Sequence, residues 1–368
     1  MAPTSYPATP HQLTRYLSDC WGHRGASASF PENTLASFEA AMRDGAEGIE
    51  SDVHVSLDGV VLMFHDPCEL TPCVGLIRER NWYGSDGIEH VRTRQEPVQA
   101  IPTFAETVAL LMKPENMHVV FDVDIKPQND PERLFTLLHE IISSYADWQT
   151  QLAPRLLLGL WHPRFLPYAK SILPYCRRSY IGTSPRVART YFWDDCDTFS
   201  MGFGSLVIYG GAKFVREAHR DGKKVMVWTV NDMDELLETI RWEVDVVLTD
   251  RTGPFLQLRK DLHADYKRTM AKQSRIFLWT TWKYYTPANT VLERRAHKDL
   301  VKIAGSMKGA KDIVVAPRPT ASSTASSSSF TEKGAEATAS DSEEGHVDSK
   351  PSMAPETVQI PVLGSATA

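Results

Sequence analysis

Residues 20–66 read CWGHRGASASFPENTLASFEAAMRDGAEGIESDVHVSLDGVVLMFHD and contain a short strand pattern, an amphipathic helix and two further strand patterns. Six more β-branched runs follow, most of them separated by amphipathic segments such as PERLFTLLHEIISSYADW at residues 131–148. Strand and helix in alternation predict βαβ units and a parallel sheet. Nine strand candidates are close to the eight of a closed barrel, so the sequence predicts an α/β fold, a TIM (β/α)8 barrel, with one pair forming a hairpin or lying outside the barrel.

Composition divides the chain into segments. The predicted barrel covers residues 18–262 and follows an N-terminal arm at residues 1–17. An insertion after His65, at about residues 67–102, is rich in turn formers and charges, and segments this long inside a barrel are usually functional, so we expect it over the mouth of the site. A basic aromatic segment occupies residues 263–315, and the composition of residues 316–368 predicts a disordered C-terminal tail.

Charge is unevenly distributed along the 368-residue chain, although the net charge of −6 and the apolar fraction of 42% are ordinary. Between Arg259 and Lys311 there are thirteen lysines and arginines against four acidic residues. Because salt screens charges beyond roughly 10 Å, such a local cluster indicates a partner better than the net charge does. With its aromatic run IFLWTTWKYY, the segment predicts either peripheral contact with an anionic membrane or a terminal helix packed on the barrel. No nucleic-acid partner and no protein partner is inferred.

The cysteine content and the first twenty residues indicate the cellular compartment of the protein. The cysteines are odd in number and scattered, which favours structural thiols in a reducing environment over a disulfide framework. The first twenty residues show no secretory signal, and no apolar run approaches the roughly 18 residues of a membrane span. We therefore expect an intracellular protein that is not secreted, either cytoplasmic or peripheral on an organelle membrane or lipid droplet. The five cysteines are Cys20, Cys68, Cys73, Cys176 and Cys196.

Two acidic residues in the IESDV run give the first indication of chemistry. Strand side chains alternate, so Glu50 and Asp52 lie on one face and Ser51 on the other. Two carboxylates that face a barrel interior are costly to desolvate unless a proton or a cation compensates them. The pair alone could be a salt-bridged strand end, but it favours a hard divalent cation, Mg²⁺ or Ca²⁺.

The SLDGVV run predicts how a histidine reaches this pair. Asp-Gly flanked by apolar runs is typical of a two-residue type I′ hairpin turn. A turn at Asp58 and Gly59 places Asp52 opposite His65, and directly opposed residues have Cβ atoms about 5 Å apart.

A second strand repeats the pattern. In FDVDIK, Asp122, Asp124 and Lys126 share one face, and active sites of such barrels lie at the C-terminal strand ends, which favours Asp124 and Lys126 over the deeper Asp122. His23 and Arg24 lie at the end of the first short strand, between glycines that let the backbone turn closely around a ligand.

Carboxylates suit a divalent cation, arginine and lysine suit a phosphate, and histidines suit proton transfer near neutral pH. Together these residue types predict phosphodiester cleavage. Each motif alone has an ordinary structural interpretation, and an isolated HRG is typical of a capped turn. Trp228 either packs in the core or lines the ligand site. We interpret His54, His162 and His219 as surface or packing residues.

The sequence resembles the glycerophosphodiester phosphodiesterase family in the block at residues 22–66, and in FDVDIK, VMVWTVND and VDVVLTD. The resemblance implies a TIM barrel, one divalent cation and the following roles. His23 and His65 are the acid/base pair, Glu50, Asp52 and Asp124 bind the metal, and Arg24 and Lys126 contact the phosphate. Many members carry glutamate at the position of Asp124.

The DIK, GLW and WTVN runs are most similar to the fungal phosphatidylglycerol-specific phospholipase C branch, which hydrolyses a membrane phospholipid to diacylglycerol and a glycerol phosphate. Soluble deacylated glycerophosphodiesters share the same head, so they remain an alternative substrate. A non-catalytic lipid-binding barrel is a second alternative, although such a chain would be expected to have lost some of these residues. The sequence contains no G-x-S-x-G motif, which forms the nucleophile elbow of many serine hydrolases, so it does not favour that class of enzyme.

Overall fold

The computed structural model describes residues 17–65, 76–281, 284 and 287–315. All of these belong to one compact unit. The predicted N-terminal arm, apart from Leu17, and the predicted C-terminal tail lie outside the described residues.

Eight parallel strands close into a barrel, which confirms the predicted TIM fold. Each strand pairs with the next in the order β1, β2, β4, β5, β6, β7, β8 and β9, and β9 pairs back with β1. Most strand positions are buried, including all eight of β2, as expected for a sheet covered by helices. The strands are β1 (Asp19–His23), β2 (Gly48–Val55), β3 (Val61–Met63), β4 (Val120–Ile125), β5 (Leu156–Leu160), β6 (Arg177–Gly182), β7 (Thr198–Gly202), β8 (Lys224–Trp228) and β9 (Val246–Thr249).

Helices follow most strands and cover the barrel. The first shows why the chain turns where it does: Thr34 caps its N-terminus in a reciprocal capping box with Ser37, and Gly45 ends it at φ +102°. The helices are α1 (Leu35–Asp44), α2 (Phe104–Leu111), α3 (Pro131–Ser143), α4 (Trp148–Gln151), α5 (Leu166–Ile172), α6 (Pro185–Val187), α7 (Phe203–Tyr209), α8 (Gly211–Arg220), α9 (Met233–Trp242), α10 (Thr252–Ala264), α11 (Tyr266–Ala271), α12 (Phe277–Thr280) and α13 (Pro287–Ala304).

The ninth strand, β3, forms an antiparallel hairpin with β2, but the predicted two-residue turn is wrong by one position. The amide of Ser56 donates to the carbonyl of Val60 at 2.9 Å, so three residues form the loop, and Gly59 has φ +91°. The longer loop is held by the Asp58 carboxylate, which accepts from the Ser56 hydroxyl at 2.6 Å and from two backbone amides of the insertion. The side-chain and insertion contacts of Asp58 thus stabilise a turn that local propensity alone did not select.

The corrected register places Asp52 opposite Phe64, whose amide donates to the Asp52 carbonyl at 2.9 Å, and not opposite His65. In a regular strand, a one-residue slip would turn His65 to the other face. Regular pairing ends at Met63, and His65 lies in the bend that follows.

The described part of the insertion packs on this hairpin. Its first turn, Ile77–Glu79, precedes a carbonyl at Arg80 that accepts from the Leu57 amide at 2.8 Å. Whether the insertion covers the mouth of the site stays a prediction. A small apolar cluster separate from the main core joins the two elements: Leu62, Ile77, Trp82, Ile88 and Ile101.

The predicted basic aromatic segment packs on the barrel through several of its residues. The Tyr284 hydroxyl donates to Glu235, and Arg275 donates to the buried Glu238 at 2.7 Å. His162 is fully buried and lies 3.1 Å from the Gly305 carbonyl. These contacts agree with the packed-helix alternative for the residues involved.

Among the described residues, no helix is long and apolar enough to span a bilayer. Cys20, Cys176 and Cys196 are free and buried, in agreement with structural thiols. Burial raises the pKa of the Cys176 thiol to about 12, so this thiol is unreactive near neutral pH. Cys68 and Cys73 lie outside the described residues.

Candidate active site

Three carboxylates from two neighbouring strands converge at the C-terminal end of the barrel. In the register of β2 and β4, Asp52 lies beside Asp124 and Glu50 beside Asp122. One oxygen from each of Glu50, Asp52 and Asp124 lies within 4.8 Å of the other two. All three side chains are buried, so the sequence prediction that these residues meet is confirmed.

Two cations partly compensate this acidic cluster. The Lys126 ammonium lies 2.5 Å from Asp52 and 2.7 Å from Asp124, and the Arg24 Nε lies 3.4 Å from Asp52. Burial opposes ionisation of Asp52, but Lys126 and Arg24 outweigh it and hold the pKa of Asp52 below its usual range. The two residues predicted to contact phosphate therefore lie directly beside the acidic cluster.

Glu50 and Asp124 are less well compensated. Burial, followed by repulsion from Asp52 and Asp124, raises the pKa of Glu50 well above its usual value. Burial likewise raises the pKa of Asp124 against the opposing effect of Lys126. Asp122 lies deeper and is fully buried, and burial raises its pKa as well. An acidic group this crowded favours additional positive charge.

The loop after β1 holds the first histidine and arginine. Arg24 has φ +57°, its amide donates to Glu50 at 3.0 Å, and its guanidinium donates to both oxygens of Glu32 at 2.9 Å. Asn33 donates to Asp52 at 3.1 Å and accepts from the Ser51 hydroxyl at 2.5 Å. Residues of the loop thus orient the carboxylates that β2 supplies.

His23 is oriented by an aspartate on another strand. Its Nδ1 donates to Asp250, directly after β9, at 2.7 Å, and its Nε2 lies 3.9 Å from Glu50. Asp250 also accepts from Ser27 at 2.9 Å and from Asn231 at 2.5 Å. Burial opposes ionisation of Asp250, but these hydrogen bonds hold its pKa below the usual value, so it is an anion that fixes the imidazole.

His65 directly follows Phe64, whose amide donates to the Asp52 carbonyl at 2.9 Å, and a positive charge on the His65 imidazole helps to lower the pKa of Asp52. Its carbonyl lies 3.1 Å from Nε2 of His54. Both predicted histidines are therefore at the same end of the barrel, although the hairpin register that predicted this position for His65 was wrong.

An aromatic wall borders the carboxylates. The indole N–H of Trp161 donates to Asp124 at 2.6 Å, and the Lys126 ammonium lies 5.5 Å from its ring centre. Trp228 packs edge-to-face against Trp161 with ring centres 5.8 Å apart. Both indoles are half-buried, so Trp228, for which two interpretations were open, lies beside the site.

The arrangement fits a hard divalent cation. Such ions bind carboxylate oxygens at about 2.0–2.6 Å, which requires ligand oxygens close to the separations found here. Glu50, Asp52 and Asp124 offer only oxygen atoms as possible ligands, which Mg²⁺ and Ca²⁺ prefer.

The model of the glycerophosphoryl diester phosphodiesterase family matches residues 23–254, which is more than half of the chain and contains every residue of this site. The chain belongs to this family. Its members are phosphoric diester hydrolases, so the chain is a glycerophosphodiester phosphodiesterase by family, and its site contains a carboxylate cluster able to bind a divalent metal.

A relative agrees with this assignment, and solved structures share the fold. The glycerophosphodiester phosphodiesterase of Caldanaerobacter subterraneus subsp. tengcongensis is 24% identical over 269 residues, covering 64% of this chain and 95% of the relative. A crystal structure of the enzyme from Parabacteroides distasonis has a TM-score of 0.55 at 20% identity, covering 68% of this chain and 98% of that one. An Oleispira antarctica phosphodiesterase in complex with the product sn-glycerol-3-phosphate has a TM-score of 0.54 at 22% identity, covering 66% and 96%.

Sequence reasoning missed several residues of this phosphodiesterase site. Asp250 and Asn231 fall inside runs that were quoted only for resemblance, VDVVLTD and VMVWTVND, and their position after a strand could have identified them. Trp161 ends the GLW run. The three histidines interpreted as ordinary make other contacts: His54 with the His65 carbonyl, His162 with Gly305, and His219 with Asp245 at 2.8 Å.

Proposed function

We propose that this glycerophosphodiester phosphodiesterase cleaves phosphatidylglycerol in phospholipase C fashion to diacylglycerol and glycerol phosphate. The observation that carries the proposal is the wall formed by Trp161 and Trp228, which adjoins Asp124 through a hydrogen bond. Two half-buried indoles beside the acidic cluster offer apolar surface to the glyceride side of a lipid. A soluble deacylated diester has no matching apolar part.

The charged residues around the phosphodiester have two roles, metal binding and stabilisation of the phosphoryl oxygens. Glu50, Asp52 and Asp124 would hold one divalent cation, Mg²⁺ or Ca²⁺, which would supply positive charge to a phosphoryl oxygen and lower the pKa of the attacking hydroxyl. Arg24 and Lys126 lie next to the same carboxylates and stabilise the charge that develops on the phosphoryl oxygens.

The two histidines transfer the protons. Because Asp250 binds Nδ1 of His23, Nε2, which lies 3.4 Å from the Thr229 hydroxyl, is the atom that exchanges a proton with substrate. His65 serves the other side of the reaction, one histidine removing the proton of the attacking hydroxyl and the other protonating the leaving alkoxide. The attacking hydroxyl is the neighbouring hydroxyl of the glycerol head, which gives a cyclic phosphate that is then hydrolysed, or it is water.

Soluble glycerophosphodiesters are the second candidate substrates, favoured by the names of the relatives. Phosphate-ester release from phosphatidylglycerol and from glycerophosphoglycerol, each with and without EDTA, separates the candidates. We expect turnover of phosphatidylglycerol, abolished by EDTA and restored by Mg²⁺ or Ca²⁺. Turnover of glycerophosphoglycerol alone would reject the lipid substrate, and no turnover of either would favour a non-catalytic lipid-binding barrel.

We further propose that part of the basic aromatic segment contacts anionic membranes. Lys267 and Arg268 are exposed, whereas Arg259 and Arg275 are engaged by Glu47 and Glu238 of the barrel. Flotation with phosphatidylglycerol-containing liposomes tests this proposal. Lys267→Ala/Arg268→Ala should bind less, since each basic residue near an anionic surface contributes about 1 kcal/mol. Unchanged binding would leave only the packing role.

A further inference from the structure

A large cavity begins next to the aromatic wall of the active site. Its volume is about 1310 Å³, larger than the 300–1,000 Å³ typical of small-molecule sites. Trp161 lines the cavity and also donates to Asp124, and the end of β6 at Gly182 forms another part of its wall. The Trp161 indole therefore contacts one predicted metal ligand, Asp124, and also lines the cavity.

The lining of this cavity is strongly basic. Helix α8 contributes Lys213, Arg216 and Arg220, which lie on one face because they are three and four residues apart. Arg294 and Lys298 of α13 face the same space. All five side chains are exposed, so they are accessible to a ligand from solvent.

Two further arginines complete the cluster, and one carboxylate opposes it. Arg186 and Arg189 follow β6, and Glu217 is the acidic residue among the lining residues. Arg189 binds Glu217 through two nitrogens, so that carboxylate is already engaged. Seven basic residues against one acid contrast with the net charge of −6 for the chain.

Most of these cations lack an internal counter-ion. Arg220 lies 3.4 Å from Asp221, but Lys213, Arg216 and Lys298 form no ion pair with any described residue. Within α8, Lys213 lies in the first turn, where the helix dipole is positive, and Arg216, three residues further on, repels it. A bound anion would relieve both effects.

We propose that this cavity binds the phosphate groups of a phosphoanion at a site separate from the scissile phosphodiester. Arginine and lysine are the residues that recognise phosphate, and a concave surface of one charge concentrates anions more effectively than a flat one. The concavity favours a compact phosphoanion over a bilayer surface. The phosphate could belong to the substrate, as an additional phosphate ester on the head group, or to a separate small molecule.

Calorimetric titration of the full chain with inorganic pyrophosphate in EDTA tests the site without requiring catalysis. We expect Lys213→Ala/Arg216→Ala to weaken binding at least about tenfold, since two charge-assisted contacts are lost. Arg43→Ala/Lys113→Ala removes two exposed cations elsewhere and is the matched control. Lys126→Ala tests the active site. Both of these variants should retain wild-type affinity, and thermal unfolding should show that all variants are folded.

Unchanged pyrophosphate affinity in Lys213→Ala/Arg216→Ala would overturn the proposal. A loss of affinity in Lys126→Ala alone would also overturn it, because the anion would then bind in the active site. If the double variant lost only its binding to phosphatidylglycerol vesicles, a membrane surface would replace the phosphoanion as the partner.

A kinetic comparison then identifies the source of the phosphate, and this step rests on the proposed function. The ratio of kcat/KM for phosphatidylglycerol with and without an additional phosphate monoester is measured in wild type and in Lys213→Ala/Arg216→Ala. A fall of about tenfold in that ratio assigns the phosphate to the substrate. An unchanged ratio with lost pyrophosphate binding assigns it to a separate ligand. Because the calorimetric step needs no turnover, an inactive protein would refute the proposed function and leave the binding result intact.

Discussion

His23 and Asp250 are separated by 227 positions in the sequence, yet Nδ1 of the imidazole lies 2.7 Å from the carboxylate. Barrel closure between β1 and β9 makes this contact, since His23 ends β1 and Asp250 directly follows the neighbouring β9. Asp250 is itself held by Ser27 and Asn231, so the orientation of His23 depends on three other side chains, which come from three parts of the chain.

Replacing Asp250 by asparagine should lower kcat by about 10- to 100-fold, the usual effect of losing a residue that orients an active-site histidine. The amide cannot stabilise the positive imidazolium, so the pH–rate profile should shift as well. Asp245→Asn is the matched control. Asp245 also contacts a histidine, His219, at 2.8 Å, but this pair lies outside the active site. Equal losses in both variants would indicate a structural role.

Alanine at His23 or at His65 should each reduce the rate by about 10² to 10⁴, the contribution of a positioned acid or base. His219→Ala controls for the loss of an imidazole on the surface. Steady-state hydrolysis of the preferred diester provides the measurement. Full activity in either active-site variant would reject its assignment.

Asp124→Asn should raise the metal concentration needed for half-maximal activity, since a charged ligand is removed. The increase should exceed the roughly 10- to 100-fold that is typical when a residue hydrogen-bonded to a metal ligand is replaced. Asp124→Glu should restore metal binding, because it retains the carboxylate. Metal titration of EDTA-treated enzyme measures both. If asparagine and glutamate behave alike, Asp124 is not a ligand.

Trp228→Ala should raise KM for phosphatidylglycerol by about tenfold and leave KM for glycerophosphoglycerol unchanged, if the wall contacts the glyceride. Tyr83→Ala is a suitable control, because that ring is 62% exposed and lies on the insertion. Parallel KM changes for both substrates would argue against a lipid contact.

His162 should make stability depend on pH. Burial lowers its pKa to about 4 from an ordinary 6.5, so the folded state holds it neutral while the unfolded state takes up a proton below pH 6.5. Its contribution is therefore present above pH 6.5 and is lost as the pH falls towards 4. Because proton binding is linked to unfolding, His162 should lower the free energy of unfolding by about 2 kcal/mol between pH 7 and pH 5.

Urea unfolding of wild type and His162→Asn at both pH values isolates this effect from other titrating groups. The difference in the free energy of unfolding between wild type and His162→Asn should be smaller at pH 5 than at pH 7. A constant difference would show that protonation of His162 does not contribute.

Local patterns identified much of the barrel and the chemistry of its site. Alternation places Glu50 and Asp52 on one face of β2 whatever the rest of the chain does, and the same rule applies to Asp124 and Lys126. Strand and helix in alternation require a parallel sheet, whose C-terminal ends form one rim. These inferences depend on periods of a few residues, which a sequence displays directly.

The hairpin shows where local reasoning fails. An Asp-Gly pair predicts a two-residue turn, but Asp58 is bound by amides more than twenty residues away, in the insertion, and the turn gains a residue. His65 still reaches the acidic cluster because the chain bends after Met63. The position of His65 near the acidic cluster was thus predicted from an incorrect register.

The sequence by itself determined the barrel, the carboxylate cluster and the residue types for phosphate chemistry, because each follows from short-range periodicity and side-chain chemistry. Only the tertiary structure decided that Asp250 orients His23, that Trp161 binds Asp124, and that cations of α8 and α13 line one cavity. Those contacts join residues distant in sequence. Barrel closure and helix packing determine which residues meet in these contacts, and a local sequence pattern does not show either.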